Sequence, residues 1–317
     1  MRVTLVENPS LTLAWIGLLG SGYGLFDESS VWVREFGSKC RRCLKNQKEI
    51  LAYFGWAKSS KVAVNPYWPR ASAISTAAFF LHEQGSEIDL QAYLGFEKEA
   101  GAHHEWQSSE FIEWLSKLPL MLKKLQALPE TDELLQETQI VITENREQYE
   151  EAFFKANALF ETFANGMPRE TISFVPNPLQ APQLTDIVRK ENEIIVIAAE
   201  PKPSCLLHES LHSYLHPLIG DMPSEEIKRA AESLNLIKLK GLGYLWDESE
   251  TALRRAVEES AVRNLVLAIS DPSLENKLAG LLDLKAEGFT VKPDLALYPS
   301  GYWNAGNLKH FLERLYA

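Results

Sequence analysis

The chain has 317 residues, enough for one large or two ordinary domains, with 45% hydrophobic and 24% charged residues. That balance excludes a globally disordered or low-complexity chain. A formal net charge of −11 argues against nucleic acid as a partner, since phosphate binding needs a basic face, and no long Lys/Arg run is present. Cys40, Cys43 and Cys205 are too few for a disulfide framework and fit a reducing, cytoplasmic compartment.

Residues 2–7 alternate and are rich in β-branched side chains, which predicts a strand. Residues 11–20 are apolar throughout; about ten residues cannot span a bilayer, so the stretch reads as a buried strand or helix and no membrane is expected. Residues 31–36 (VWVREF) read as a short strand. Ser38 reads as the N-cap of a helix over residues 39–54, with Cys40 and Cys43 near its start. A strand is expected at residues 61–65 and a buried helix at 71–82. Further helices are expected at 89–94, at 109–128 with a break at Pro119, and over 131–165 as one or two long amphipathic segments. Residues 171–175 and 193–198 are the clearest strands of the second half. Helices follow over 204–216, 223–234, 248–269, 273–288 and 307–316. The composition shift near 165–175 divides a mixed, mostly helical region, 1–165, from a second domain, 166–317.

The most informative stretch is His208-Glu209-Ser210-Leu211-His212, an H-E-x-x-H pattern. On a helix, residues four apart share a face, so both imidazoles project the same way and can each give one nitrogen to Zn²⁺. Glu209 follows the first histidine directly, which places it beside a metal and within reach of a proton on activated water. Leu206, Leu207, Leu211 and Leu215 flank the polar residues, so the helix is expected to be buried, where an unpartnered His-Glu-His stripe is costly.

A catalytic zinc needs a third protein ligand. The longer pattern with glycine and a third histidine fails here, since Leu215 stands where glycine should be and position 218 is Leu218. His216 lies about 12 Å along the helix axis from His208, too far for one ion to take His208, His212 and His216 together. The other source is a later helix. Glu258 and Glu259 sit mid-helix among Val257, Ala261, Val262 and Leu265, where carboxylates are unusual unless paired or coordinated.

With these residues the chain resembles the gluzincin group of H-E-x-x-H zinc metallopeptidases. The resemblance implies an α+β, mostly helical, zincin-like catalytic domain with a small mixed sheet packed on the H-E-x-x-H helix. It further implies zinc held by His208, His212 and a downstream helix glutamate, with Glu209 as general base. Glu259 is the favoured glutamate and Glu258 the alternative. Several members place a second acid three or four residues after the ligand; neither glutamate reproduces it. The implied activity is hydrolysis of a peptide or protein substrate through a zinc-activated water, with an additional oxyanion donor. Tyr214, Tyr244, Tyr298, Tyr302 and His216 are candidates, and Tyr302, in a loop rich in glycine and aromatics, is preferred. A peptide is expected to add as a strand along residues 171–175 or 193–198. The alternatives are an inactive zincin-fold regulatory protein and a zinc hydrolase of a non-peptide bond. Cys40-x-x-Cys43 reads as a plain pair of helix thiols; a redox role would need thiols activated by a helix N-terminus and by Lys39, Arg41 and Arg42.

Overall fold

The computed structural model describes residues 2–23, 30–59, 68–82, 87–99, 108–161, 171–180, 182, 185–190, 193–234, 236, 249–270 and 305–316. The expected strand at 61–65, the expected helix at 273–288 and the boundary between 165 and 166 lie outside these residues. The fold is α+β and mostly helical, with one small four-stranded sheet among the described residues. It divides into two compact units that are discontinuous in sequence. One comprises Thr4–Glu150 with Ser173–Pro201, the other Met1–Val3, Glu151–Ile172 and Lys202–Ala317.

The first unit is built around α1 (Pro9–Gly20). Nine of its twelve residues are buried, from Leu11 to Gly20 with only Thr12 excepted. A helix apolar on every side belongs at the centre of a core, and α2 (Val31–Leu44), α3 (Lys48–Gly55), α4 (Trp68–Ala77), α7 (Leu118–Gln126) and α8 (Pro129–Glu144) all pack on it. Helix rather than strand is chosen locally: Asn8 Oδ1 accepts from Leu11 N–H at 3.0 Å, and Pro9 opens the first turn. Between α4 and α7 lie α5 (Leu90–Glu99) and α6 (Ser109–Ser116), and α9 (Arg146–Glu161) follows α8 and from Glu151 on belongs to the second unit. The region from 109 to 128 is thus two helices, with Pro119 in the first turn of α7. The acidic stretch beginning at Thr131 is likewise two, α8 and α9, broken at Asn145.

Two sequence expectations fail here. Residues 31–36 are not a strand; they open α2, capped by Ser30 Oγ, which accepts from Val33 N–H at 3.2 Å. Val33, Phe36, Gly37, Cys40 and Leu44 are buried at helical spacing, so the face turned to α1 overrides the strand preference of a short β-branched and aromatic run. Ser38 is therefore inside α2 and caps nothing; its Oγ donates to Arg34 O at 3.1 Å. The single helix expected over 39–54 is the end of α2 and the whole of α3.

The sheet has the order β1-β2-β4-β3, from β1 (Arg2–Leu5), β2 (Thr171–Pro176), β3 (Thr185–Lys190) and β4 (Glu193–Ala198). β3, which the sequence pattern did not reveal, pairs antiparallel with β4 in the register Thr185↔Ala198 to Lys190↔Glu193. β2 and β4 are thereby interior. Their backbone groups are engaged on both sides, so neither can take a peptide by strand addition, contrary to expectation.

In the second unit, α10 (Pro203–Gly220) packs on α12 (Glu250–Ser270), and α11 (Ser224–Ser233) packs on α12 and on α13 (Ala305–Tyr316). Leu206, Leu207, Leu211, Leu215 and Ile219 are the buried apolar residues of α10, and Ala256, Val257, Ala261, Val262 and Leu265 are buried on α12. α10 does not end at His216. It runs on through Pro217 to Gly220, and Arg254 Nη1 donates to the terminal carbonyls of Ile219 at 2.7 Å and Gly220 at 3.2 Å. Pro217 removes the one helical N–H that would pair with Ser213 O, while the guanidinium holds carbonyls at the end of the helix.

The close approach of α1 to α3 leaves no room for a side chain at Gly17, where a Cβ would lie 2.4 Å from Cε2 of the fully buried Phe54. Gly17→Ala is expected to destabilise the protein by roughly 1–3 kcal/mol despite the better helix propensity of alanine. A denaturant midpoint equal to or above wild type would contradict that packing.

Candidate metal centre

The H-E-x-x-H stretch lies in the body of α10, held by buried leucines, and the Glu258-Glu259 pair lies in the middle of α12 facing it. His208 Nε2 and His212 Nε2 are 3.2 Å apart, and Glu259 Oε2 is 3.5 Å from the first and 3.3 Å from the second. Ligands about 2.1 Å from a tetrahedral zinc are about 3.4 Å from one another, so the three atoms have the spacing of one tetrahedral face. This is the only His/Cys/Asp/Glu grouping among the described residues that could hold a metal ion. The three side chains are 21%, 15% and 14% exposed, shielded but still reachable.

Each carboxylate oxygen of the pair has its own partner. Glu259 Oε1 accepts from Arg263 Nε at 2.6 Å, one helical turn away, which leaves Oε2 toward the histidines. Glu258 Oε1 is 2.7 Å from His212 Nδ1, and its Oε2 is 2.9 Å from His216 Nδ1. An ionised carboxylate can only accept, so Nδ1 of His212 carries a proton, and Nε2 is the nitrogen turned to the centre. The acid absent from the positions after the ligand is therefore supplied from the position before it. The adjacency of two glutamates in an apolar helix was the signal in the sequence, but periodicity does not say that neighbours on one helix divide two such tasks.

The electrostatics follow from this geometry. Burial pushes the Glu258 carboxyl upward, but hydrogen bonds from His212 and His216, with their charges, hold it at about 2. Glu259 is likewise raised by burial and brought well below the usual carboxylate range by His208 and His212. Burial lowers His212, yet the hydrogen bonds with Glu258 and Glu259 and the charges of Glu259 and Glu209 together lift it to about 9. In the metal-free protein a proton thus occupies the place between His212 and Glu259 that a cation would take.

Glu209 is buried on α10. His216 lies outside the donor triangle, with its side chain 62% exposed. Tyr214 is half-buried on α10. Tyr302, like Tyr244 and Tyr298, lies outside the described residues. Cys40 and Cys43 sit in the last turns of α2, not at its start, and none of the three cysteines is in a disulfide. Burial, with Cys43 alongside, pushes the Cys40 thiol up to about 12, and burial also raises Cys43. These are the opposite of the shifts an activated redox pair needs. No helix among the described residues is long and apolar enough to cross a membrane. Comparison of the chain with protein-family models, with curated proteins and with solved structures finds no match.

Two outcomes are expected. Because His212 is raised above its usual value near 6.5, its charge stabilises the metal-free fold below about pH 6.5, and that stabilisation is lost as pH rises through about 9. A metal must displace that proton, so apparent Zn²⁺ affinity should climb by about tenfold per pH unit between pH 6 and 8. Chelator competition across that range measures it, and a flat profile would rule out competition at His212. Cys40 should resist iodoacetamide at pH 8 in the native protein and react only after denaturation, read by mass spectrometry of the alkylated peptides.

Proposed function

We propose that the protein is a zinc-dependent hydrolase of peptide bonds, with the gluzincin arrangement of ligands on a zincin-like domain. The observation that carries this reading is the donor triangle of His208, His212 and Glu259, two imidazole nitrogens and one carboxylate oxygen at the spacing of a tetrahedral face. The donor set suits zinc, and three protein ligands leave a coordination position for water or substrate, as a catalytic site requires. Zinc bound there would supply Lewis acidity, lowering the pKa of water and polarising a carbonyl.

The residues of the chain do the rest. Glu258 and Arg263 hold His212 and Glu259 in orientation, so that Nε2 and Oε2 stay aimed at one point. Glu209 is the general base: it is buried, next in sequence to His208, and close enough for its charge to act on His212. Its carboxylate accepts a proton from the attacking water and returns it to the leaving amine. A peptide substrate is favoured because these parts, two histidines, a helix glutamate and an internal base, are those of the metallopeptidases the sequence resembles. Cysteines that form no disulfide suit a reducing compartment and hence a cytoplasmic setting.

Elemental analysis after zinc loading and dialysis should find about one zinc per chain, lost in His212→Ala and in Glu259→Ala. Glu209→Gln should keep the metal and lose about 10²–10⁴-fold in hydrolysis of a fluorogenic peptide mixture. A protein with intact fold and no affinity for zinc would remove the whole reading. Zinc retained with identical behaviour of wild type and Glu209→Gln would leave a metal-holding binding protein instead.

A further inference from the structure

Glu259 carries two oxygens, and they are used differently. Its Oε2 lies 3.5 Å from His208 Nε2 and 3.3 Å from His212 Nε2, whereas Oε1 accepts from Arg263 Nε at 2.6 Å. Arg263 stands one turn after Glu259 on α12, and an acid followed four residues later by a base is the better order for a pair on one helix. Both side chains are sheltered, 14% and 27% exposed, so the bond is short, charge-assisted and only partly screened by water. Glu258 has no oxygen to spare for the centre, since its two are with Nδ1 of His212 and Nδ1 of His216.

The number of oxygens that a carboxylate offers decides what a metal site can do. A carboxylate binds a cation through one oxygen or through both. Two imidazole nitrogens and one oxygen make three protein ligands, which leaves a tetrahedral ion one position for water or substrate. With both oxygens of Glu259 turned inward the protein would fill four positions, and water would take the fifth that such a site uses in its transition state. The helix backbone does not forbid that arrangement, because the last torsion of a glutamate is soft and brings either oxygen round. The bond to Arg263 opposes it. The guanidinium fixes the carboxyl group, and its charge makes Oε1 the poorer donor of the two.

We propose that Arg263 is a positioning residue that sets how many oxygens Glu259 gives, tying up Oε1 so that Oε2 alone serves the ion and one coordination position stays open. This rests on the reading of the site as a zinc peptidase. Arg263 touches neither ion nor substrate. Its removal therefore differs from the loss of a ligand: the metal stays, and the place left for the reaction narrows.

The test uses the full chain with Arg263→Met, which keeps an apolar stem and removes the donor, and Arg263→Ala, the best helix former, as a second truncation. Zinc affinity is measured by chelator competition and hydrolysis with an internally quenched fluorescent peptide mixture. Coordination is read from the visible absorption of the cobalt(II)-substituted protein, which is more intense for a four-coordinate than for a five-coordinate ion. Both truncations are expected to hold zinc at least as tightly as wild type. Their cobalt absorption should fall by about twofold as coordination rises from four to five. At saturating zinc, kcat/KM should fall by about 10–100-fold. Arg263→Lys keeps a charged donor at the same spacing and is expected to restore the wild-type spectrum and most of the rate. Zinc weakened by about 10–100-fold with an unchanged cobalt spectrum would make Arg263 a plain support of the ligand and overturn the inference, leaving the zinc peptidase reading intact. An unchanged spectrum with an unchanged rate, or failure of both truncations to fold, would overturn it as well. A wild-type protein that binds zinc and cleaves nothing would bring down the peptidase reading, while the spectra and affinities still decide the role of Arg263. One that binds no zinc would bring down both.

Discussion

The second unit depends on one constraint: two adjacent carboxylates in the middle of α12 have to be neutralised where there is little water. Glu258 and Glu259 stand among Val257, Ala261, Val262 and Leu265, all buried. Breaking a buried charge pair by removing one side typically costs about 3–5 kcal/mol, so the partners are not optional. α10 supplies them. Its histidines stand at successive turns, and the leucines between them seal the same contact. The apolar surface says that the two helices pack, and the histidine–carboxylate pairs say which faces meet.

Within that contact the four carboxylate oxygens are assigned one by one. Glu259 gives one to Arg263 and the other to the two histidine Nε2 atoms; Glu258 divides its two between His212 and His216. What remains facing the centre is two nitrogens and one oxygen, a group that could hold a metal ion. The same satisfaction of partners explains the electrostatics. The carboxyls are held low and His212 is held high because each is the other's counter-ion, and burial, which opposes both charges, is outweighed by the pairing.

The first unit obeys a different rule. Among the described residues it has no comparable charge cluster at its centre; it has α1, apolar on all sides, with a glycine where the Phe54 ring presses against it. Around such a helix the neighbours need only present apolar faces. This is why residues 31–36, strand-like by composition, form the start of α2: their period continues unbroken to Leu44, and the whole face packs on α1. β3 was hidden for the complementary reason. Its strand of Thr185–Lys190 has two buried residues and a charged end, too short and polar a pattern to stand out, and it exists because β4 offers it a full antiparallel ladder.

The sequence by itself determined the features that are local in the chain. The spacing of His208 and His212 placed both rings on one helix face, and the order His208-Glu209 placed the acid beside them, because a helix converts separation along the chain directly into direction. The same rule excluded His216 as a third ligand and marked Glu258 and Glu259 as carboxylates in need of partners. Only the tertiary structure brought Glu259 rather than Glu258 against the two Nε2 atoms, gave Glu258 its hold on two histidines, carried α10 past Pro217 to the Arg254 guanidinium, and closed β2 and β4 inside the sheet. Each of these depends on which face of a distant element lies opposite. That is set by the summed packing of many residues rather than by the period of any one segment.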